Sequence, residues 1–179
     1  MMRIITGKAR GVKLDTLDGL ATRPTTEKVK EAIFSTIQFE IEGRKVLDLF
    51  AGSGQMALEA LSRGAREAVL VDASKEAAEI IRKNAVKTKL FPSTRVIVSD
   101  YKTAIKQLSG REKFDIIFCD APYAAKLTGD AVEKVLSCGL LSDGGIMIPY
   151  CPLPWESEAG AGNLRRSPWQ PWQPLRGWD

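Results

Sequence analysis

The sequence predicts an α/β domain of the doubly wound kind, a mostly parallel sheet covered by helices on both faces, with a β-hairpin ahead of it. Two observations carry this. Short, almost wholly apolar runs recur through the chain: "RKVLDLF", "EAVLVD", "TRVIVSD", "FDIIFCD" and "GGIMIPY". They alternate with stretches of helical period: "GQMALEALSRG", "SKEAAEIIRKNAVK", "YKTAIKQLS" and "TGDAVEKVLSCG". Strands that are apolar on both faces and separated by amphipathic helices belong to parallel sheets buried on each side.

Each element has its own local reason. "RIITGKARGVKLDTL" alternates and contains Gly7 and Gly11, which predicts a short twisted hairpin. In "RPTTEKVKEAIFSTIQ", Pro24 and the threonines supply a helix start and Glu27 favours the first turn. Val29, Ala32, Ile33 and Ile37 form its apolar face, and Gly43 ends it. Gly64 closes the next helix, and Ser74 is placed to cap the one after. Past Tyr150 the character changes. All four tryptophans and five of the nine prolines fall there, with a tandem "PWQPWQP" and neither strand nor helix periodicity. Repeated proline forbids interior strand pairing. The chain therefore divides into a basic hairpin (1–22), a main domain (23–150) and a Pro/Trp-rich tail (151–179).

Bulk properties narrow the chemistry. A chain of 179 residues at 44% hydrophobic content fits one well-packed domain. No apolar run reaches membrane-spanning length, and the start lacks the apolar core of a signal peptide. Cys119, Cys138 and Cys151 have no metal-type spacing, and their odd, scattered number fits a reduced cytoplasm. Histidine is absent, which removes His-based general base catalysis and the commonest metal ligand, so no metal is expected. The net charge is +4, and residues 1–30 alone hold seven basic residues against three acidic ones. That concentration suits a polyanion, although a solvated surface would give the same count.

"VLDLFAGSGQMA" places Gly52 and Gly54 between a strand and a helix. Gly52-Ser53-Gly54-Gln55-Met56-Ala57 matches the dinucleotide-binding pattern, with Asp72 near the position of a ribose-binding acid. A tight turn needing positive φ would account for the glycines without a ligand. Asp48, four residues before Gly52, decides between cofactors. A pyrophosphate wants helix N-terminal amides and no nearby anion, whereas a ligand bearing an ammonium and a sulfonium favours a carboxylate. S-adenosylmethionine is such a ligand. Asp48 is assigned to its methionine end, Asp72 to the ribose hydroxyls and Asp100 to the adenine amino group. Phe50, Ala51, Gly52, Ser53, Gly54, Ala73 and Tyr101 complete the expected pocket. Ligands of open α/β sheets bind beyond the strands' carboxyl ends, where these acids lie.

"FDIIFCDAPYAAKL" then ends a fourth strand in an acid. An exocyclic amino group on a base is a poor nucleophile, because its lone pair is delocalised into the ring. Hydrogen-bond acceptors that draw it towards tetrahedral geometry and hold it in line with a methyl-sulfonium bond help it react. Asp120 supplies one acceptor and the Ala121 carbonyl a second, Pro122 fixes the loop, and Tyr123 offers a ring to stack on an extruded base. The bland alternative is a turn with a tyrosine over the sheet edge. Guanine presents N1–H and N2–H₂ side by side, two donors that a carboxylate matches with two oxygens. Adenine N6 remains open, since one hydrogen bond to the same carboxylate suffices for it.

At this point "RIITGKARG", "RPTTEKVKEAIF", "VLDLFAGSG", "ALEALSRGA" and "DAPY" resemble, in order and spacing, the bacterial ribosomal RNA small subunit methyltransferase D family, over residues 2 to about 150. The resemblance implies a class I S-adenosylmethionine-dependent methyltransferase with a Rossmann-like fold. It also implies methylation of a guanine N2 in 16S rRNA, within a small ribosomal subunit or its precursor, by a cytoplasmic monomer. Arg3, Lys8, Arg10, Arg23 and Thr25 become substrate-contact candidates. The family usually has proline where this chain has Ala121, but alanine keeps the carbonyl. The family also closes its sheet with two further strands, and the tail carries no pattern for them. Its abrupt composition change resembles a frameshifted or recombined end and predicts an uncovered edge on the last strand. Two readings of other classes compete. A nicotinamide-dependent oxidoreductase is disfavoured by Asp48 and by the missing histidine, and a non-catalytic RNA-binding module fits if the altered tail inactivates the enzyme.

Overall fold

The computed structural model describes residues 2–17, 27–121, 125–149 and 175–176. The order of elements is α1 (Glu27–Thr36), β1 (Lys45–Asp48), α2 (Gln55–Ser62), β2 (Glu67–Asp72), α3 (Lys75–Lys87) and a 3₁₀ turn (Phe91–Ser93). Then follow β3 (Thr94–Val98), α4 (Tyr101–Leu108), β4 (Phe114–Cys119), α5 (Ala125–Ser137), β5 (Leu141–Pro149) and β6 (Leu175–Arg176). The sheet order is β3-β2-β1-β4-β5-β6. The first five strands pair in parallel, so all five carboxyl ends emerge on one edge.

Two cores flank the sheet. On one face Val46, Leu70, Ile116, Phe118 and Ile146 pack with Ile4, Phe34, Leu58 and Ile81 from the N-terminal segment, α1, α2 and α3. On the other, Leu47, Val69, Val71, Ile117 and Met147 meet Ile105 and Leu108 of α4 and Val135 of α5. Successive strand residues point to opposite faces, so a strand buried on both needs an apolar interior, and in β1, β2 and β4 the charged residues lie at or next to the strand ends. β3, at the sheet edge, is only partly covered.

Two expectations are corrected. The tail does contribute a strand: β6 pairs antiparallel with β5, with Met147 opposite Leu175 and Ile146 opposite Arg176. Leu175-Arg176 follows the last proline of the sequence, so its backbone is free to donate to an open edge. A two-residue strand is too short to show any period. The hairpin, in turn, is reduced to a single antiparallel bridge between Arg3 and Lys13. Ile4 N donates to Val12 O and Leu14 N to Met2 O around it. The segment finds its partner in α2: Lys8 N donates to Ser62 O at 2.8 Å and Ala9 N to Ser62 Oγ at 2.9 Å. Gly7, at φ 87°, lies so close that a Cβ would stand 1.9 Å from Ser62 O. With this arm on it, α2 is buried on every side, Gln55, Glu59 and Ser62 included.

Candidate active site at the carboxyl edge of the sheet

The β1–α2 loop is held from both neighbouring strands. Leu49 N donates to Phe118 O and Ala51 N to Val71 O. Gly52 and Gly54 take φ of 55° and 80°, a region that costs most side chains strain. At Gly54 the cause is packing too, since a Cβ would press on Leu70 and Ile81, whereas the space beside Gly52 is open. Asp72, at the end of β2, binds this loop: Oδ2 accepts from Gly52 N at 2.9 Å and Oδ1 from Ser74 N at 2.9 Å. Each oxygen keeps a lone pair for a further donor.

Asp48 ends β1 and is only 2% exposed. Burial pushes its carboxyl up to about 7, the charges of Asp120 and Asp72 push the same way, and the amides of Phe50 and Ala57 partly offset them. Asp48 pairs in register with Phe118, so Asp120 emerges two residues further along the adjacent strand. Ala121 beside it is buried. Pro122 and Tyr123, like Arg23 and Thr25, lie outside the described residues. Cys119 is buried in the same corner, and its thiol is pushed up to about 12 by burial and by Asp48 and Asp120.

Asp100 is exposed and caps α4, its Oδ1 accepting from Thr103 N at 3.0 Å, and hydrogen bonds from the Thr103 side chain and then its amide hold its carboxyl below the usual range. The Phe50 and Tyr101 rings stand 5.2 Å apart, tilted by 44°, and make an apolar wall between the β1 loop and α4. The Tyr101 hydroxyl donates to Asp130 Oδ2 at 2.6 Å; burial and that contact push the phenol up to about 12. Ala73 is exposed beside Asp72. Asp48, Asp72, Asp120, Phe50, Tyr101 and the glycine loop thus lie together on one edge, which gathers negative charge there. Such a site fits a cationic ligand with an apolar, ring-bearing portion, and S-adenosylmethionine meets both demands. Among the described residues no group of His, Cys, Asp and Glu could hold a metal ion.

Of the substrate candidates, Arg3 forms an exposed ion pair with Glu27 at 2.6 Å, while Lys8 and Arg10 are exposed on the arm. The sequence reading missed what seats that arm. Glu59, fully buried, accepts from Ile5 N at 2.8 Å and Thr6 N at 3.0 Å and pairs with Arg63 Nε at 2.9 Å and Lys30 Nζ at 3.3 Å. Lys30 Nζ also donates to Arg3 O at 2.6 Å. Burial lowers the Lys30 pKa while Glu59 opposes the shift. A lone acid inside "QMALEALS", otherwise nearly apolar, was the available signal. Asn84 also went unremarked; it is fully buried on α3.

Comparison with known proteins agrees with this geometry. The family described as Conserved hypothetical protein 95 matches residues 2–166. "Ribosomal RNA small subunit methyltransferase D" of Escherichia coli is 31% identical over 163 residues, covering 86% of this chain and 81% of its own. A solved hypothetical protein from Thermus thermophilus is 33% identical with a TM-score of 0.70, covering 82% of this chain and 84% of that one. At 20% identity, and so for the fold alone, an O-methyltransferase of Bacillus cereus solved in complex with SAH superposes with a TM-score of 0.59, over 68% of this chain and 55% of that one.

Proposed function

Because the chain belongs to the ribosomal RNA small subunit methyltransferase D family, we propose that it transfers the methyl group of S-adenosylmethionine to small-subunit ribosomal RNA, at the exocyclic N2 of a guanine. The observation that carries this reading is the pair Asp48 and Asp120 on adjacent strand ends, the first buried and raised to about 7 for want of a countercharge. A sulfonium and an ammonium supply that countercharge, and the carboxylate form of Asp48 is then favoured.

The bound cofactor supplies the electrophilic methyl group. The protein's own groups do the rest. Asp48 anchors the methionine end, the open side of Gly52 admits it, and Asp72 and Asp100 face the ribose and adenine. The Phe50–Tyr101 wall flanks the ring. Asp120 accepts hydrogen bonds from guanine N1–H and N2–H₂, and the Ala121 carbonyl accepts from the amino group, holding its lone pair in line with the methyl. The amine becomes acidic once methylated, so its proton leaves to water without a histidine relay. Pro122 and Tyr123 hold and stack the base, and Arg3, Lys8, Arg10, Arg23 and Thr25 meet the RNA. We assign the reaction to an assembled or nascent small subunit in the cytoplasm, carried out by a monomer. The test is methyl transfer from labelled cofactor onto small subunits lacking the modification, followed by nucleoside analysis. N2-methylguanosine is the expected product; N6-methyladenosine, or no transfer with RNA still bound, would overturn the assignment.

A further inference from the structure

The Asn84 amide is used at every point. Oδ1 accepts from Asp15 N at 2.8 Å, while Nδ2 donates to Asp15 O at 3.0 Å and to Ser53 O at 2.9 Å. Asp15 belongs to the N-terminal arm and Ser53 to the cofactor loop, so one fully buried side chain on α3 grips both. Ser53 lies between two glycines at positive φ, of which Gly52 N is tied by Asp72 and Gly54 N by Ala51 O. The Ser53 carbonyl between them is met by Asn84 Nδ2. Two further contacts join the same pieces: Ser53 Oγ donates to Met2 Sδ at 3.0 Å, and Lys87 on α3 pairs with the Asp15 carboxylate at 2.5 Å. Asparagine is a poor helix former, and an amide buried without partners is destabilising, so the residue is out of place on α3 except as this clamp.

We infer that Asn84 is a positioning residue through which the cofactor loop and the arm bias one another, so that occupancy of either site raises the affinity of the other. The inference rests on the proposed reading that the loop holds S-adenosylmethionine and the arm meets ribosomal RNA. A loop and an arm that share one rigid link share its ordering cost; the ligand that binds first meets that cost, and the second binds more tightly. The effect is reciprocal by thermodynamic necessity.

The experiment measures S-adenosylhomocysteine affinity of the full chain by calorimetry, alone and with small ribosomal subunits from cells lacking this protein. For the unmodified chain, subunits tighten the nucleoside on the order of tenfold, and the nucleoside tightens subunits by the same factor. Asp15→Pro removes the amide that donates to Asn84 Oδ1, leaves the arm only the Asn84 Nδ2–Asp15 O bond, and keeps the Asn84–Ser53 bond in place. Its nucleoside affinity alone stays within about twofold, while the mutual effect falls from about tenfold to roughly threefold or less. Asp15→Ala keeps the main-chain amide, loses only the Lys87 pair and retains the mutual effect. Asn84→Asp puts a carboxylate against both carbonyls and weakens the nucleoside alone by about tenfold as well. Should Asn84→Asp fail to fold, the exposed Asp15 pair of variants decides. Ligands that bind the unmodified chain independently, or an Asp15→Pro chain with the full mutual effect, would overturn the inference while leaving the proposed function standing. Nucleoside binding with no subunit binding at all would overturn both.

Discussion

A carboxylate that prefers its proton near neutrality makes binding of a cation depend on pH in a defined direction. The Asp48 carboxyl, raised from 3.8 to about 7, must be ionised to hold a sulfonium. Affinity for S-adenosylmethionine is therefore level above about pH 8 and falls by about tenfold for each unit below 7, which titration calorimetry between pH 5.5 and 8.5 reads. The same shift works against the empty fold. The folded state holds its proton more tightly than the unfolded chain, so stability falls as pH rises from about 4 to 7 and the full penalty stands above 7. Asp48→Asn removes that penalty: its Tm rises more at pH 8 than at pH 5, while cofactor affinity drops by about a hundredfold or more. Asp120 sits beside it, and the proposed reading gives it a different duty. Asp120→Ala lowers kcat by about two to three orders of magnitude and leaves S-adenosylhomocysteine affinity within a few-fold. A collapse of nucleoside affinity instead would move Asp120 from the base to the cofactor. These strand-end acids were legible because a charge closing an apolar run has few structural excuses. Asn84 was not, because one polar residue on a helix reads as solvated surface until its neighbours in space are known.

At the scale of elements, the arm and α2 form one unit. The buried Glu59 takes two arm amides and two cations, and Ser62 takes two amides more while donating Oγ–H to Thr6 O at 2.6 Å. Gly7→Ala brings both a Cβ into the Ser62 carbonyl and strain at positive φ, about 1–2 kcal/mol for the strain alone. The arm lifts before the domain melts. Hydrogen exchange detects this as fast exchange at Lys8 and Ala9 with little change in the β1 and β4 amides. The five parallel strands were readable from apolar runs, since burial on both faces of the inner strands leaves few polar positions away from their ends. The docking of the arm was unreadable, because its alternation and glycines describe a hairpin equally well, and what the arm offers to Glu59 and Ser62 are its own main-chain groups, which sequence does not mark.

On the scale of the whole molecule, β5 receives β6 at two positions, Ile146 and Met147. Deleting residues 174–179 strips those bonds from an otherwise apolar edge, so the shortened chain self-associates at lower concentration by light scattering. The order β3-β2-β1-β4-β5 has a second consequence, for synthesis. Chain emerging from the ribosome lays down β1, β2 and β3 outward, then must return past β1 to place β4. By residue 98 the arm, α1, α2 and α3 are all available to cover one face, while Leu47, Val69 and Val71 still await α4 and α5 on the other. Over about 40 residues of translation, a few seconds, that side is covered only as α4 and then α5 emerge. An rRNA methyltransferase of this family thus shows, during its own synthesis, apolar surface that a shield at the exit tunnel would cover.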